Sequence, residues 1–172
     1  CCSGSNVGYM RMDRLPFSGS DSSGAVCEYF GHWIIGTSGG KFGVCQPIEA
    51  VNSQNLAGKN VNFQVLAKTP TSGGLLFRMG MLQKNSGVTA DAIPNSIVSG
   101  WNMASGAIPT FGSGLALVVP SSSGALVSGW TVLSISMSLL SGHMNLIPVI
   151  WSDNPLASGS ILQMTEAGVY FD

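Results

Sequence analysis

One long uncharged segment constrains the fold of this chain more than any other feature. No Asp, Glu, Lys or Arg occurs between Ala92 and Ser152, although apolar residues are frequent there. Gly, Ser, Asn and Pro interrupt the segment every few residues, whereas a membrane-spanning helix needs about 20 consecutive apolar residues. We therefore expect no membrane insertion. The pattern favours β-sheet that is buried on one face and packed against other chains on the other.

Short stretches with two-residue alternation recur along the chain. In "NVNFQVLAK", Val61, Phe63, Val65 and Ala67 share one face, and Leu66 is the apolar exception on the other. "WTVLSISMSLL" alternates apolar residues with Ser in the same way. Helix-type spacing is nearly absent, and glycines and prolines are scattered throughout.

These stretches predict about eight to ten short strands with turns between them, as in an antiparallel sandwich. The predicted fold is all-β: an antiparallel β-sandwich of jelly-roll type. We expect a single domain over residues 1–172, in which residues 1–25 form either an N-terminal extension or a further strand.

The charge content limits the possible partners. Charged residues make up 9% of the chain and the net charge is −1, against about 25% charged residues in typical domains. Nucleic acid and anionic membranes bind through concentrated positive charge, so neither is expected. The surface must be solvated by Ser, Thr, Asn and Gln, or be covered by neighbouring subunits. We therefore expect a homo-oligomer, with a homotrimer favoured.

Metal and thiol chemistry have little support. Two His and four Cys form no HxH, HExxH or CxxC arrangement. Cys27 and Cys45 leave two alternatives, a disulfide between them or buried free thiols, of which the thiols are favoured. No cofactor is expected. A structural Ca²⁺ held by oxygens such as those of Glu49, Asp153 or Asp172 is conceivable, but surface carboxylates are the preferred interpretation.

No motif predicts catalysis. "GTSGG" at residues 36–40 is similar to the sequence around some protease nucleophiles, but that chemistry also needs a His base and an orienting carboxylate. "LAGKNV" lacks the first glycine and the hydroxyl residue of a phosphate-binding loop. Both are predicted to be turns. The eight acids show no spacing that nominates a glycosidase pair, so we predict that the protein is not an enzyme.

The aromatic residues are the best candidates for ligand contact, because the apolar face of a sugar packs on an aromatic ring. Trp130 and Trp151 lie at strand ends within apolar runs and are predicted to be in the core. Trp33 and Trp101, the latter in the loop-like "SGWNMASG", are the predicted ligand-binding residues. For both, packing in the core or at a subunit interface is the competing interpretation. The tyrosines that could join such a platform are Tyr9, Tyr29 and Tyr170.

Three segments together resemble a known group of modules. "LAGKNVNFQVLAK", "GWTVLSISMSL" and "VIWSDNPLASGSILQMTEAGVYFD" are similar to two strands and the closing region of carbohydrate-binding-module-like jelly-roll domains. Such domains are frequent in bacteriophage tail and other virion structural proteins. The resemblance covers about residues 26–172 and departs from the usual pattern at Gln64, where Ser normally follows the Phe. It therefore supports the fold more than any ligand specificity.

The resemblance implies a non-enzymatic structural or receptor-recognition module of a phage virion, in a fibre, tail or capsid decoration. The partners it implies are other virion subunits and a host-surface glycan, and the location it implies is the virion. Two alternatives stay open: a carbohydrate-binding module of a secreted bacterial enzyme, and a glycan-cleaving enzyme.

Overall fold

A computed structural model of the protein describes residues 2–3, 7–14, 29–36, 40–85, 96–118 and 122–171. Strands dominate these ranges; the helical elements there are a single turn, α1 (Ala50–Ser53), and a following 3-10 turn (Gln54–Leu56). The strands are β1 (Cys2–Ser3), β2 (Val7–Arg14), β3 (Tyr29–Ile35), β4 (Gly43–Cys45), β5 (Asn60–Lys68), β6 (Leu75–Asn85), β7 (Val98–Gly100), β8 (Thr110–Phe111), β9 (Leu115–Leu117), β10 (Ser122–Leu126), β11 (Thr131–Ser138), β12 (His143–Ser152) and β13 (Ile161–Phe171).

The strands form two main antiparallel sheets. The six-stranded sheet has the order β1-β4-β12-β6-β10, with β9 also paired to β6. The five-stranded sheet has the order β11-β5-β13-β3-β2, and β7 and β8 form a separate pair. This architecture confirms the predicted antiparallel sandwich. The strands outnumber the expected ones because several pairing segments are only two or three residues long.

Apolar residues that alternate with polar ones along the strands form the core between the two sheets. In β11, Leu133, Ile135 and Met137 are buried while the serines between them are exposed. Phe77 and Met79 of β6 fill the same core from the opposite sheet. Burying such a side chain contributes about 1.5–3 kcal/mol, so the face that each strand turns inward is strongly determined.

Strand β12 is apolar on both of its faces. Leu146 and Ile150 lie in the core, whereas Ile147, Val149 and Trp151 belong to a second apolar cluster on the outer side of the six-stranded sheet. This arrangement accounts for the continuous apolar run in the sequence, because neither side of the strand meets water. It also confirms that Trp151 is a core residue.

Residues 96–118 cover the second cluster. The covering side chains are Trp101, Phe111, Leu115 and Leu117. Their close approach requires glycine beneath them: a Cβ on Gly80 would lie 2.8 Å from Leu117 Cδ1, and one on Gly43 would lie 3.0 Å from the Trp101 ring. For β12, therefore, the cover comes from the chain itself rather than from the neighbouring chains that the sequence led us to expect.

A buried lysine holds the middle of this cover. Lys41 is only 1% exposed, and its ammonium donates hydrogen bonds to the carbonyl oxygens of Ala104 at 2.7 Å and Ala107 at 3.3 Å. Burial lowers the pKa of Lys41, although the Asp153 carboxylate opposes this shift. The lysine ties a turn of the cover to the sheet below it.

Asp153 completes the charged anchor. Its carboxylate accepts hydrogen bonds from Arg78 Nε and from Ser105 Oγ, the latter at 3.3 Å. Burial alone would raise the pKa of Asp153, but the hydrogen bond and charge of Arg78, with smaller contributions from Ser105 and the Gly106 N–H, hold it below its ordinary value. The group is therefore ionised at neutral pH.

The Arg78–Asp153 ion pair involves one of the three acids considered above for a structural Ca²⁺ site. Asp153 already binds Arg78, Glu49 is exposed beside α1, and Asp172 lies outside the described residues. Within the ranges given above, no three His, Cys, Asp or Glu side chains come together as a metal site would require.

One of the remaining local predictions is confirmed, and others fall wholly or partly outside the described residues. The turn at "LAGKNV" is confirmed, and Gly58 adopts there the positive φ of 73° that glycine tolerates best. Residues 37–39 of "GTSGG" and Cys27 lie outside the described residues, whereas Cys45 is buried in the second cluster. No helix in the described part of the chain is long and apolar enough to cross a membrane.

Candidate functional site

The two predicted tryptophans do not form a common surface. Trp33 is 8% exposed and belongs to the core between the sheets. Trp101 is half-buried on the outer side of the six-stranded sheet, where its ring packs over Gly43. The expected surface position is therefore wrong for Trp33, which shares a face of β3 with buried Ile35. Packing, the competing interpretation for both residues, is what the structure places there.

The outer side of the five-stranded sheet has a different character. We call it the polar face: the outward side chains of β11, β5 and β13, with the outward positions of β3 and β2. Its described side chains include Ser134, Ser136, Asn62, Gln64, Lys68, Gln163, Thr165 and Tyr170. Leu66 and Val132, paired across β5 and β11, are the apolar members. Its exposed amides and hydroxyls can donate and accept hydrogen bonds, whereas Leu66 and Thr165 on the same face are buried.

Tyr170 provides the aromatic ring on the polar face. It is 53% exposed, and its ring leans back along β13 onto Gly168. A Cβ added to Gly168 would lie 2.8 Å from both Cζ and the hydroxyl oxygen of Tyr170. The ring can lie against the sheet only because Gly168 has no side chain. A half-exposed ring held in this way presents a surface on which the apolar side of a sugar can pack.

A bulge in β13 determines which way Tyr170 points. Thr165 and Gly168 pair with Leu66 and Gln64, so that two residues of β13 oppose a single residue of β5. One extra residue reverses the in–out alternation beyond the bulge. Tyr170 consequently lies on the outer face, whereas an unbroken ladder would turn it into the core.

Side-chain amides flank the ring. Asn62 lies directly opposite Tyr170 in the ladder, and Gln64 lies opposite Gly168. The side-chain oxygen of Asn62 is buried and accepts no hydrogen bond from the described residues. An unmade hydrogen bond at a buried acceptor costs about 1–3 kcal/mol; because this oxygen is buried, a ligand beside the ring meets the exposed part of the Asn62 side chain.

A lysine and a tryptophan mark the other end of the polar face. The Lys68 ammonium lies 4.3 Å from the centroid of the Trp130 ring, a cation–π geometry that restricts the lysine without using all of its N–H donors. Trp130 is thus half-buried at the edge of this face rather than in the core, where the sequence placed it. A cation, amides, hydroxyls and the rings of Tyr170 and Trp130 therefore lie on or at the edge of this face.

Sequence analysis named Tyr170 among the possible platform residues but preferred Trp33 and Trp101 as surface candidates, Trp101 for its loop-like segment. The structure buries Trp33 and half-buries Trp101, whereas Tyr170 is exposed. The signal that could have favoured Tyr170 is the glycine two residues before it, which leaves room for a ring on the same face of a strand. The amides of Asn62 and Gln64 were recognised only as the polar side of β5.

Comparisons with known proteins give a fold but no sequence family. No protein-family model matches the chain, and no curated protein matches it either. Among solved structures, TmCBM61 in complex with beta-1,4-galactotriose is 9% identical with a TM-score of 0.56; the match covers 100% of this chain and 88% of that one.

Two further matches are parts of larger chains. The CBM22-1-GH10 modules of the Clostridium thermocellum xylanase Xyn10B, complexed with xylohexaose, are 11% identical with a TM-score of 0.59, over 100% of this chain and 26% of theirs. The enzymatically active domain of Bacteriophage CBA120 tailspike protein 4 is 8% identical with a TM-score of 0.60, over 100% of this chain and 19% of that one. At these identities the likeness shows the fold: the chain has the β-sandwich architecture that carbohydrate-binding modules use.

Proposed function

We propose that the protein is a non-catalytic carbohydrate-binding module that recognises a glycan chain on its polar face. The observation that carries this proposal is the Tyr170 ring lying on Gly168, half-exposed and flanked by Asn62 and Gln64. Sugars combine an apolar ring face with several hydroxyls, and binding sites for such ligands combine apolar surface with a few placed polar groups. The likeness in fold to sugar-bound modules supports the same function by analogy.

The mechanism is binding by stacking and hydrogen bonding. One sugar ring packs on Tyr170, and its hydroxyls exchange hydrogen bonds with the amides of Asn62 and Gln64. The exposed and half-buried polar side chains of this face follow β5 and β13, so sugars next to the one on Tyr170 would lie along these two strands.

A virion setting is the second part of the proposal. The fold match to a phage tailspike domain and the 9% charge content support a receptor-recognition or structural module in a phage fibre, tail or capsid decoration. Other virion subunits, as in a homotrimer, and a host-surface glycan would be its partners. The alternative setting, a carbohydrate-binding module of a secreted bacterial enzyme, uses the same face. Light scattering after size exclusion separates the two settings: a stable trimer favours the virion, a monomer the enzyme module.

Titration of the purified protein with neutral plant and bacterial polysaccharides tests the glycan-binding proposal. We expect Tyr170→Ala to abolish measurable binding and Tyr170→Phe, which keeps the ring, to retain most of it. Leu140→Ala, which also truncates an exposed apolar side chain, is the control and should bind normally. Binding by Tyr170→Ala with wild-type affinity would refute the assignment of the face.

A further inference from the structure

A row of paired positions that includes Lys68 and Arg11 crosses one end of the polar face. Lys68 of β5 pairs with Gln163 of β13, Gln163 pairs with His32 of β3, and His32 pairs with Arg11 of β2. Residues paired directly across a ladder lie on the same face of the sheet. The four positions therefore form one line over about 14 Å, at the usual spacing of neighbouring strands.

The row contains two of the few basic residues of the chain. Only seven Lys and Arg occur in the whole sequence. Lys41 and Lys84 are buried on the other sheet, and Arg78 binds Asp153 there. Two of the seven, Arg11 and Lys68, stand in the row itself, with a histidine between them.

The acids near this face lie outside the row. Asp13 is two residues from Arg11 on β2, hence on the same face but in the next row. Glu166 lies in the bulge of β13, between the row and Tyr170. The ladder thus places basic residues in one row of the polar face and acidic residues at positions between that row and Tyr170, so a uniformly charged polyanion would meet both.

The aromatic ring and the row are a short oligosaccharide apart. The Tyr170 ring lies on Gly168, which pairs with Gln64, and Gln64 precedes Lys68 by four residues. At the rise of a strand this is about 13 Å. The cation–π contact with Trp130 restricts the Lys68 ammonium before any ligand arrives, which lowers the entropic cost of using it.

We propose that the ligand of the polar face is a sparsely acidic glycan, in which a sugar bearing a carboxylate or sulfate binds at the row while a neutral sugar ring packs on Tyr170. This inference rests on the proposed glycan-binding function and adds the chemical class of the ligand. The Lys68 ammonium supplies the countercharge, and Gln163 is its partner in the ladder. A sugar carboxylate or sulfate presents several acceptor oxygens for such groups.

Two matched pairs of polysaccharides test the proposal by titration calorimetry on the full chain. The first pair is a partly de-esterified and a fully methyl-esterified homogalacturonan, and the second is a partly sulfated and an unsulfated galactan. We expect at least one acidic member to bind about tenfold more tightly than its neutral counterpart, with an advantage that shrinks as salt is raised. The pair that shows the advantage identifies the acidic group as carboxylate or sulfate.

Two variants that each remove one positive charge test whether the preference for the acidic polysaccharide arises at the row. Lys68→Gln should weaken binding of the acidic member about three- to fivefold and leave the neutral member unaffected, as expected for one half-exposed charge. Lys59→Gln removes the same charge from an exposed lysine just before β5 and should change neither. Equal losses in both variants would show nonspecific attraction and overturn the proposal.

The outcomes separate the two levels of inference. If acidic and neutral members bind equally and Tyr170→Ala abolishes both, the glycan-binding function stands and the acidic-ligand proposal is wrong. If none of the four polysaccharides binds, both are wrong. An acidic advantage lost in Lys68→Gln but kept in Lys59→Gln supports both.

Discussion

Neutralising Asp153 should remove the anchor that fixes residues 101–107 to the six-stranded sheet. The Asp153 side chain is 7% exposed, and that of its partner Arg78 is 22% exposed. Asp153→Asn keeps the size of the side chain but removes the negative charge beside Arg78 and buried Lys41. Breaking a buried ion pair costs about 3–5 kcal/mol. Because water reaches part of Arg78 and recovers some of this, we expect a loss of about 2–4 kcal/mol.

Urea unfolding at pH 7 measures this loss. With a slope of about 2 kcal/mol per M for a domain of this size, the midpoint should fall by about 1–2 M. Ser105→Ala, which removes only the 3.3 Å hydrogen bond to the same carboxylate, should cost less than about 1 kcal/mol. In the double variant Arg78→Gln/Asp153→Asn the loss should be smaller than the sum of the single losses. A midpoint for Asp153→Asn within about 0.2 M of wild type would refute the anchor.

Three further predictions follow from the same structure. The pKa of Asp153 in the folded protein lies below the ordinary value of 3.8, so the unfolded state takes up the proton first as pH falls. The stability that this group contributes is therefore complete above pH 3.8 and is lost as pH falls through the pKa of the folded state. Melting temperatures measured against pH should show this loss in wild type but not in Asp153→Asn. Gly168→Ala should displace the Tyr170 ring and weaken glycan binding about three- to tenfold while the melting temperature stays nearly unchanged; unaltered affinity would contradict the ring geometry. Trp101→Ala should lower the free energy of unfolding by about 1–3 kcal/mol without changing glycan affinity. Loss of binding would show instead that Trp101 belongs to the glycan-binding site.

The fold was predictable wherever one face of a strand meets water. In β11, Leu133, Ile135 and Met137 alternate with serines, so the sequence and the structure agree residue by residue. Strand β12 could not be interpreted in this way, because Ile147 and Trp151 are covered by residues 96–118. A local pattern shows that both faces of a strand are apolar, but it does not show which part of the chain covers the second one.

The site was less predictable, because it depends on long-range pairing. Lys68, His32 and Arg11 are far apart in the sequence, and only the ladder brings their positions into one row. Tyr170 is close to Thr165 in sequence, yet its direction depends on a bulge that no residue type in the segment announces. Trp33 was the avoidable error, since its alternation with Ile35 already predicted an inward position.

The bulge in β13 absorbs one residue without moving the side chains beyond it. Residues 166 and 167 oppose a single residue of β5, while Gly168, Val169 and Tyr170 pair with Gln64, Phe63 and Asn62. Deleting Ala167 would therefore leave these pairs in register and restore an unbroken alternation, with the Tyr170 ring still on the outer face. The length of the chain can change at this point while the aromatic ring keeps its position beside the two amides.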